Sequence, residues 1–306
     1  MFFELSFSHD TKAELCRLPL GSKCCSVAEC YGMLLYCNTF SAKEIKIITG
    51  NRQLKQRISA QFRRAFSVTF DVMPEDSGQG RKQTLIISKE EKLGRVFNAF
   101  GISGDSMVAH HVNLGVLEED CCKQSFIRGA FFTGGAITNP EKSYHFELVT
   151  DHYSVSRETY SLLLEMGFSP KEASRGGNYI TYFKQSAAIE DLLTLIGAPL
   201  AAMELMSAKI EKDMRNGVNR RVNCDTANVS KTVDAAGAQI DAINKLSAGA
   251  GLASLPEKLR ETARIRLENP ELSIVELAAL FSPPVTKSCL NHRLRKLVQL
   301  AGQGTD

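Results

Sequence analysis

Residues 127–135 read IRGAFFTGG, and a second version of the same pattern, CYGMLLYCN, lies 97 positions earlier at residues 30–38. Both stretches have the apolar spacing of a helix, with small residues where a partner helix would touch. A cysteine pair precedes each stretch at the same distance, Cys24-Cys25 in the first and Cys121-Cys122 in the second. The repeat therefore predicts two related helices and a domain with pseudo-twofold symmetry.

The segments that follow each repeated helix share one plan. Compact apolar strands alternate with amphipathic helices, and each half ends at a glycine that suits a helix C-terminus, Gly101 or Gly197. We expect an α+β fold in which residues 1–200 form a duplicated αββαββα domain, with halves at about 20–101 and 117–198. Predicted helices cover 9–17, 26–37, 51–66, 90–100, 123–132, 155–166 and 187–196; predicted strands cover 44–49, 84–88, 144–150 and 179–184; predicted turns cover 74–80 and 169–177.

The composition is that of a globular protein without a membrane segment. Of the 306 residues, 43% are hydrophobic and 23% are charged, and no apolar run approaches the roughly 20 residues that span a bilayer. The N-terminus lacks the apolar core of a signal peptide, and the nine cysteines show no secreted framework. We therefore expect a cytoplasmic protein with free thiols and no membrane contact. The formal net charge of +3 is too small to indicate a nucleic-acid partner, so a basic surface must come from local clustering.

The chain after residue 200 is predicted to be helical. Residues 201–254 form a basic helical connector, which carries most of its cations at 209–231 and ends in a linker of small residues at 247–254. Arg220 and Arg221 belong to the cationic stretch and are candidate contacts to the backbone of a DNA duplex. A helical hinge between domains explains the same stretch equally well.

Residues 255–306 are predicted to be a separate helical module. Pro256 suits the first turn of one helix, which should stop at Asn269 because the residue before a proline disfavours helical angles. Ser273 and Glu276 then have the spacing of a capping box, which predicts the start of a second helix.

A third, basic helix follows the break Ser282-Pro283-Pro284 and is expected to start at Thr286 or Ser288. Leucines at helical spacing give it one apolar side, and no acid lies between residues 285 and 300. A short helix, a break and a basic helix are typical of a helix-turn-helix, whose second helix enters the major groove of double-stranded DNA. Asparagine can pair with adenine, and arginine or lysine with guanine, whereas a charged face that only meets solvent is the alternative. The candidate DNA-binding residues are Thr286, Lys287, Ser288, Asn291, His292, Arg293, Arg295 and Lys296.

Three stretches carry a resemblance to a known family. They are RGAFFTGG at 128–135, DMRNGVNRRVNCDTAN at 213–228 and SPPVTKSCLNHRLRKL at 282–297. The paired helices resemble those of LAGLIDADG homing endonucleases, and the chain from Ser6 to Ala301 resembles the WhiA family of bacterial DNA-binding regulators. The resemblance implies a nucleoid-associated regulator of transcription that binds promoter regions and acts in sporulation, cell division and chromosome segregation. A regulatory protein partner is also compatible with it.

The duplicated domain is predicted to lack nuclease activity. In the endonuclease pattern the eighth position carries an acid that holds the catalytic metal, and that position is Cys37 in the first copy and Gly134 in the second. A hard cation such as magnesium needs oxygen ligands, which neither residue supplies. The sequence therefore predicts a protein that is not an enzyme, with no catalytic residue, metal, cofactor or small-molecule substrate. Without nuclease activity, the domain is expected either to contact DNA through Arg81, Lys82 or Arg175 or to bind another protein.

Two other clusters are weak candidates for a metal. Cys24-Cys25 and Cys121-Cys122 could meet in a four-thiolate zinc site, but adjacent cysteines at helix starts point in different directions, so small buried thiols are expected. His110-His111, His145 and His152 have no acid or cysteine at ligand spacing and are expected to be ordinary histidines. Two alternative functions remain, a metal-dependent endonuclease that uses displaced acids and a protein-interaction scaffold whose tail touches no DNA.

Overall fold

The computed structural model describes residues 6–74, 81–102, 110–249 and 251–303. The chain divides into two compact units, Met1–Asp213 and Met214–Asp306. The turn predicted at 74–80 lies, apart from Pro74, outside the described residues.

The first unit repeats one order of elements twice, as the duplicated pattern predicts. An opening helix, α1, covers Phe7–Cys16. The first half then contains α2 (Lys23–Leu35), β1 (Thr39–Phe40), β2 (Ile45–Thr49), α3 (Arg52–Phe66), β3 (Gln83–Ile87) and α4 (Glu90–Asn98). The second half contains α5 (Asp120–Gly134), β4 (Gly135–Ile137), β5 (Phe146–Thr150), α6 (Tyr153–Glu165), β6 (Lys171–Arg175), β7 (Asn178–Phe183) and α7 (Ser186–Ile196). The predicted α+β fold with a duplicated domain is therefore confirmed.

Each half forms one antiparallel sheet. The first sheet has the strand order β1-β2-β3 and the second has the order β4-β5-β7-β6. Val72 bridges Ile86 at the place in the first sheet that β6 holds in the second. Buried and half-buried residues alternate along β2, β3 and β5, because one face of each strand packs on the core. Among the described residues, the fourth strand of the first half is reduced to that single bridge.

Strand β6 corrects the sequence prediction, which has a turn at 169–177. Every residue of β6 is exposed. Its sequence, KEASR, lacks the apolar alternation that indicates a strand, so the sequence alone did not predict it. It forms because Gly176 and Gly177, with φ of 58° and 83°, make a two-residue hairpin turn that pairs Arg175 with Asn178. Backbone pairing with β7, rather than burial of side chains, holds this strand in the sheet.

The two central helices, α2 and α5, approach each other at Gly32 and Gly129, where the sequence predicts close packing. A Cβ at residue 32 would lie closer than 3.0 Å to the carbonyl oxygen of Phe126. A Cβ at residue 129 would lie equally close to the carbonyl oxygen of Glu29. Any side chain at either glycine would therefore force the two helix backbones apart.

A buried ion cluster lies beside this crossing. Arg57 of α3 donates to both carboxylate oxygens of Glu29, at 2.7 and 2.9 Å, and Arg128 of α5 donates to one of them at 3.1 Å. The side chains of Glu29 and Arg57 are only 1% and 2% exposed. Other guanidinium donors bond the carbonyl oxygens of Leu18 and Ile196. Since Arg57 and Arg128 come from different halves, the cluster ties the halves together.

Gly101 and Gly197 follow the last helices of their halves, as predicted. Both have positive φ, 69° and 99°, which a residue without a side chain adopts at little cost. The amide that follows each glycine reaches back into the last helical turn, where Ala198 donates to Leu193 at 2.8 Å and Ile102 donates to Phe97 at 3.1 Å. Both halves therefore end with the same kind of cap.

The second unit is all-helical. Helix α8 covers Pro199–Ala248, and its residues up to Asp213 belong to the first unit. The second unit holds the rest of α8 together with α9 (Glu257–Glu268), α10 (Ile274–Ala279) and α11 (Lys287–Gln303). Ile243 of α8 belongs to the same hydrophobic core as Leu277 and Leu294. The C-terminal end of α8 thus packs with the three tail helices, whereas the sequence alone suggests that this module begins at residue 255. None of the described helices is both long and apolar enough to cross a membrane.

Candidate nucleic-acid interface

The helix-turn-helix forms where local signals in the sequence predict it. Ser273 and Glu276 make a complete capping box: the backbone N–H of Ser273 donates to Glu276 at 2.9 Å, and the backbone N–H of Glu276 donates to the Ser273 hydroxyl at 3.4 Å. The Thr286 hydroxyl accepts from the backbone of Cys289 at 3.2 Å, so Thr286 rather than Ser288 starts α11. Asn269 ends α9, as its place before a proline predicts.

One side of α11 anchors it to the unit. Leu290, Leu294 and Leu297 are each 1% exposed and pack in a core that includes Phe281 of the preceding turn. The opposite side is a stripe of exposed polar residues at positions i, i+4, i+7 and i+11 of the helix. These residues are Ser288, His292, Arg295 and Gln299.

The structure exposes most, but not all, of the α11 residues singled out in the sequence. Asn291 is half-buried. Arg293 is also half-buried, and its guanidinium lies 5.5 Å from the centre of the Phe281 ring, in the geometry of a cation–π contact. Arg293 therefore has a packing role that its sequence position does not show. The exposed members are Thr286, Lys287, Ser288, His292, Arg295 and Lys296.

The exposed cations of α11 are available for a partner. Among the described residues, Lys287, Arg295 and Lys296 form no ion pair with an acid. The Lys296 ammonium only reaches the Gln299 side chain, at 3.4 Å. Gln299 itself is missing from the candidates drawn from the sequence, which end at the last basic residue. Gln299 can be found from the 3.6-residue period of the helix, which places it on the same face as Arg295, although it carries no charge.

Arg220 and Arg221 lie on a different part of the unit. Every described residue from 213 to 235 on α8 is exposed, and burial begins only at Ala236. At 1.5 Å per residue, Arg221 is about 22 Å along the helix axis from that residue. The two arginines are therefore outside the packed core that presents α11.

A cleft flanks the start of α11. Its volume is about 240 Å³, and its lining includes Lys231 of α8, Arg266 of α9 and Lys287 of α11. Arg266 is 2% exposed and donates from Nη1 to the carbonyl oxygen of Leu272 at 2.6 Å. Its Nε has no hydrogen-bond partner among the described residues. Two lysines and the buried Arg266, from three helices, therefore line this cleft beside the first turn of α11.

The first unit shows what stands at the two positions where the endonuclease pattern carries metal-binding acids. The thiol of Cys37 donates to the carbonyl oxygen of Thr39 at 3.1 Å, and burial raises the pKa of that thiol to about 12. A Cβ at Gly134 would lie 2.5 Å from the carbonyl oxygen of Val149 and 2.8 Å from the ring of Tyr36. A neutral thiol and a glycine without room for a side chain thus occupy these positions.

The four histidines considered as metal ligands each have a local partner. His111 lies 2.8 Å from Glu158, and His145 lies 3.0 Å from Glu147. The ring of His110 lies 4.1 Å from that of His152, and burial followed by the nearby His152 lowers the pKa of His110. Among the described residues, these side chains do not form a group of three or more metal ligands.

Two family models match the chain. A "WhiA LAGLIDADG-like domain" covers residues 123–215, and a "WhiA C-terminal HTH domain" covers residues 218–301. A curated relative from Ruminiclostridium cellulolyticum, named "Probable cell division protein WhiA", is 38% identical over 97% of both chains. The chain belongs to the WhiA family. A second WhiA relative, from Clostridium perfringens, bears the same name and is 37% identical over 97% of this chain and 98% of its own.

A solved WhiA structure has the same fold. The full-length protein from Thermatoga maritima matches with a TM-score of 0.58 and 24% identity, over 99% of this chain and all of that one. The N-terminal LAGLIDADG domain of a WhiA protein matches 64% of this chain with a TM-score of 0.50. At these identities the likeness shows the fold alone. Together with the family models, it confirms a LAGLIDADG-like domain followed by a helix-turn-helix domain.

Proposed function

We propose that this protein is a sequence-specific DNA-binding regulator of transcription that places α11 in the major groove of double-stranded DNA. The observation that carries the proposal is the exposed stripe on α11, where Arg295 and its neighbours face solvent without an acidic partner among the described residues. Arg295 and Asn291 can read base edges, and Thr286, Ser288 and His292 supply further donors. Lys287, Arg293 and Lys296 complete the proposed contact set.

Phosphate contacts add to this interface. Lys231 and Lys287 line the cleft at the start of α11 and supply these contacts, since a duplex backbone beside the major groove would run there. Arg220 and Arg221 are exposed on α8 and supply further phosphate contacts outside the cleft. In this proposal the functional division is a LAGLIDADG-like domain at 1–200, a basic connector at 201–254 and a helix-turn-helix at 255–306.

The first unit acts in this proposal as a scaffold and not as a nuclease. Cys37 offers a thiol that burial keeps protonated, and Gly134 has no room for a carboxylate, so neither can hold a hard divalent cation. Its remaining roles are contact with DNA or with a regulatory protein partner. No cofactor or small-molecule substrate is part of the proposal.

The cellular role is proposed from the family. The relatives from Ruminiclostridium and Clostridium are named as probable cell division proteins. We extend that name to a nucleoid-associated regulator that binds promoter regions of genes for cell division, chromosome segregation and sporulation.

The test starts from the full chain and a library of random duplexes. Repeated selection of bound duplexes gives a preferred sequence, and fluorescence anisotropy then compares it with a scrambled duplex of the same length and composition. The preferred duplex should bind at least about 1000-fold more tightly, and the logarithm of the affinity should fall linearly with the logarithm of salt concentration. Equal binding to both duplexes, or no binding at low salt, contradicts the proposal.

The same preparation tests the scaffold role. Supercoiled plasmid is incubated with the protein and either magnesium or manganese, with and without EDTA. We expect no cleavage in any sample. Cleavage that EDTA abolishes would show a metal-dependent endonuclease and contradict this part of the proposal.

A further inference from the structure

Four cysteine thiols meet where the two central helices begin. Cys24 and Cys25 are the second and third residues of α2, and Cys121 and Cys122 hold the same places in α5. Their four sulfur atoms all lie within 4.8 Å of one another. Among the described residues this is the one group of three or more side chains that could hold a metal ion.

This cluster differs from what the sequence suggests. The sequence prediction considered the directions of adjacent cysteines on one helix, whereas the second helix brings its own pair to the same point from across the pseudo-twofold axis, and all four sulfurs converge. Only Cys122 is buried, Cys25 is half-buried, and Cys24 and Cys121 are exposed. The prediction of small buried thiols is therefore wrong for Cys24 and Cys121, which are exposed.

We propose that these four cysteines bind one zinc ion, with two thiolates from each half of the duplicated domain. A tetrahedral site with zinc–sulfur bonds of about 2.3 Å places its sulfurs about 3.8 Å apart. The observed sulfurs need to close by about 1 Å at most, which small side-chain rotations achieve at a helix start. The exposed Cys24 and Cys121 give the ion a path from solvent.

The surroundings favour thiolates at this point. Both helices direct the positive ends of their dipoles at the cluster, and this lowers the free energy of negative sulfur. The Ser22 hydroxyl lies 2.9 Å from the sulfur of Cys24 and can donate to it as a partner of a bound ligand. The Ser125 hydroxyl, which donates to the Cys121 carbonyl oxygen at 2.7 Å, fixes the first turn of α5.

Electrostatics within the cluster call for a cation. Four sulfurs that lie within 4.8 Å of one another would repel each other once ionised, because like charges at this spacing oppose each other's formation. A divalent cation removes this opposition because it attracts all four thiolates.

The chemistry of the ligands selects zinc. Four thiolates in a tetrahedron suit zinc, whereas magnesium and calcium need oxygen ligands. Binding converts four thiols and Zn²⁺ into a complex of net charge −2 and releases four protons, so the affinity should fall as the pH is lowered. The ion would join the N-termini of α2 and α5, at the end opposite to Cys37 and Gly134.

The test uses the full chain, purified under reducing conditions from cells grown with zinc. Elemental analysis should find about one zinc ion per chain. The metal-free chain is then titrated with Co²⁺, which has no absorption of its own in the thiolate charge-transfer region. We expect charge-transfer bands and the intense visible bands of tetrahedral cobalt, which saturate at one ion per chain and disappear when Zn²⁺ is added.

Two double variants locate the ion. Cys24→Ser with Cys121→Ser removes one ligand from each half and should abolish the cobalt bands and the stoichiometric zinc. The matched control, Cys224→Ser with Cys289→Ser, removes two exposed cysteines elsewhere and should leave both unchanged. Circular dichroism checks that each variant keeps its helices.

Three outcomes would overturn the proposal. The first is a reduced wild-type chain that gives no thiolate-to-cobalt bands, a result that holds even if the first variant does not fold. The second is zinc content that stays at one ion per chain in Cys24→Ser with Cys121→Ser. The third is a zinc-free chain in which mass spectrometry finds a disulfide between the cysteine pairs of α2 and α5. Loss of zinc without loss of DNA binding would leave the proposed function intact.

Discussion

Gly32 and Gly129 hold reciprocal positions in the crossing of the central helices. Each lies against the carbonyl oxygen of the residue three positions before the other, Phe126 for Gly32 and Glu29 for Gly129. Two equivalent residues that make the same contact with the opposite helix are what pseudo-twofold symmetry requires. Since both carbonyl groups belong to helix backbones, neither can move aside as a flexible side chain would.

Replacing either glycine by alanine should therefore destabilise the first unit. We expect Gly32→Ala and Gly129→Ala each to lower the free energy of unfolding by about 3 kcal/mol or more, because the added methyl group forces the helices apart. The control is Gly94→Ala on α4, where a Cβ meets nothing within 4 Å, and it should raise stability by about 0.5–1 kcal/mol. Urea unfolding followed by circular dichroism measures all three. Equal midpoints for the three variants would contradict the close approach.

The buried ion cluster should be sensitive to the loss of its one acid. Glu29→Gln leaves Arg57 and Arg128 without the carboxylate that balances them, and we expect a loss of about 3–5 kcal/mol in unfolding free energy. Glu91→Gln provides the comparison, since Glu91 pairs with Arg95 while 79% exposed and should change stability by less than about 1 kcal/mol. Thermal unfolding of the two variants distinguishes them. A Glu29→Gln protein as stable as Glu91→Gln would show that the cluster contributes nothing.

Asp71 makes the start of α4 dependent on pH. Its carboxylate accepts from the backbones of Ser88 and Lys89, at 2.9 and 3.0 Å, and from the Lys92 ammonium at 2.6 Å. Burial would raise the pKa of Asp71, but the bond from Lys92 and the two amides lower it from 3.8 to about 2. The stability from this carboxylate is thus fully present above pH 3.8 and is lost as the pH falls through 2.

Asp71→Asn should accordingly lower the free energy of unfolding by about 1.5–3 kcal/mol at pH 7, the usual contribution of hydrogen bonds to a charged group. The difference from wild type should narrow as the pH falls from 4 towards 2, where wild type also loses the charge. Urea midpoints along a pH series measure it, with Asp191→Asn as an exposed control on α7. If the difference in unfolding free energy between the variant and wild type stays constant from pH 4 to pH 2, the charge of Asp71 does not contribute to stability.

The proposed interface predicts a ranking of arginine variants. Arg295→Ala should weaken binding to the selected duplex by about 5-fold to 150-fold, the range for one lost base contact, with little change in stability because its side chain is exposed. Arg293→Ala should also lower thermal stability, since it removes the contact with Phe281. Arg264→Ala, an exposed cation of α9, is the control and should bind normally. Equal affinity of Arg295→Ala and wild type would move the DNA contact away from α11.

Local signals explain why much of the fold was predictable. The capping box of Ser273 and Glu276, the stop at Asn269 and the glycine caps act within four residues of the chain, so the sequence shows them directly. The repeat predicts the duplicated domain because both copies keep the same apolar spacing. The confirmed elements are those whose own residues determine their conformation.

Features that depend on distant residues were not predictable. Strand β6 has no apolar pattern and forms only because a Gly-Gly turn folds it onto β7. Glu29 and Arg128 are 99 positions apart in the sequence, and no local pattern around either residue predicts their contact. The four cysteines converge only once two helices cross, so the directions of one pair gave no guide to the other. In the proposed interface, the place of Gln299 can be recognised only when the exposed face of α11 is known.

The tight surroundings of Gly134 limit which side chains this end of the helix crossing can accept. An aspartate introduced there would meet the backbone of β5 and the ring of Tyr36, so a carboxylate fits only together with changes in its neighbours. A design that aims to install an oxygen-ligated metal site at this position therefore has to enlarge the space between α5, β5 and Tyr36 first.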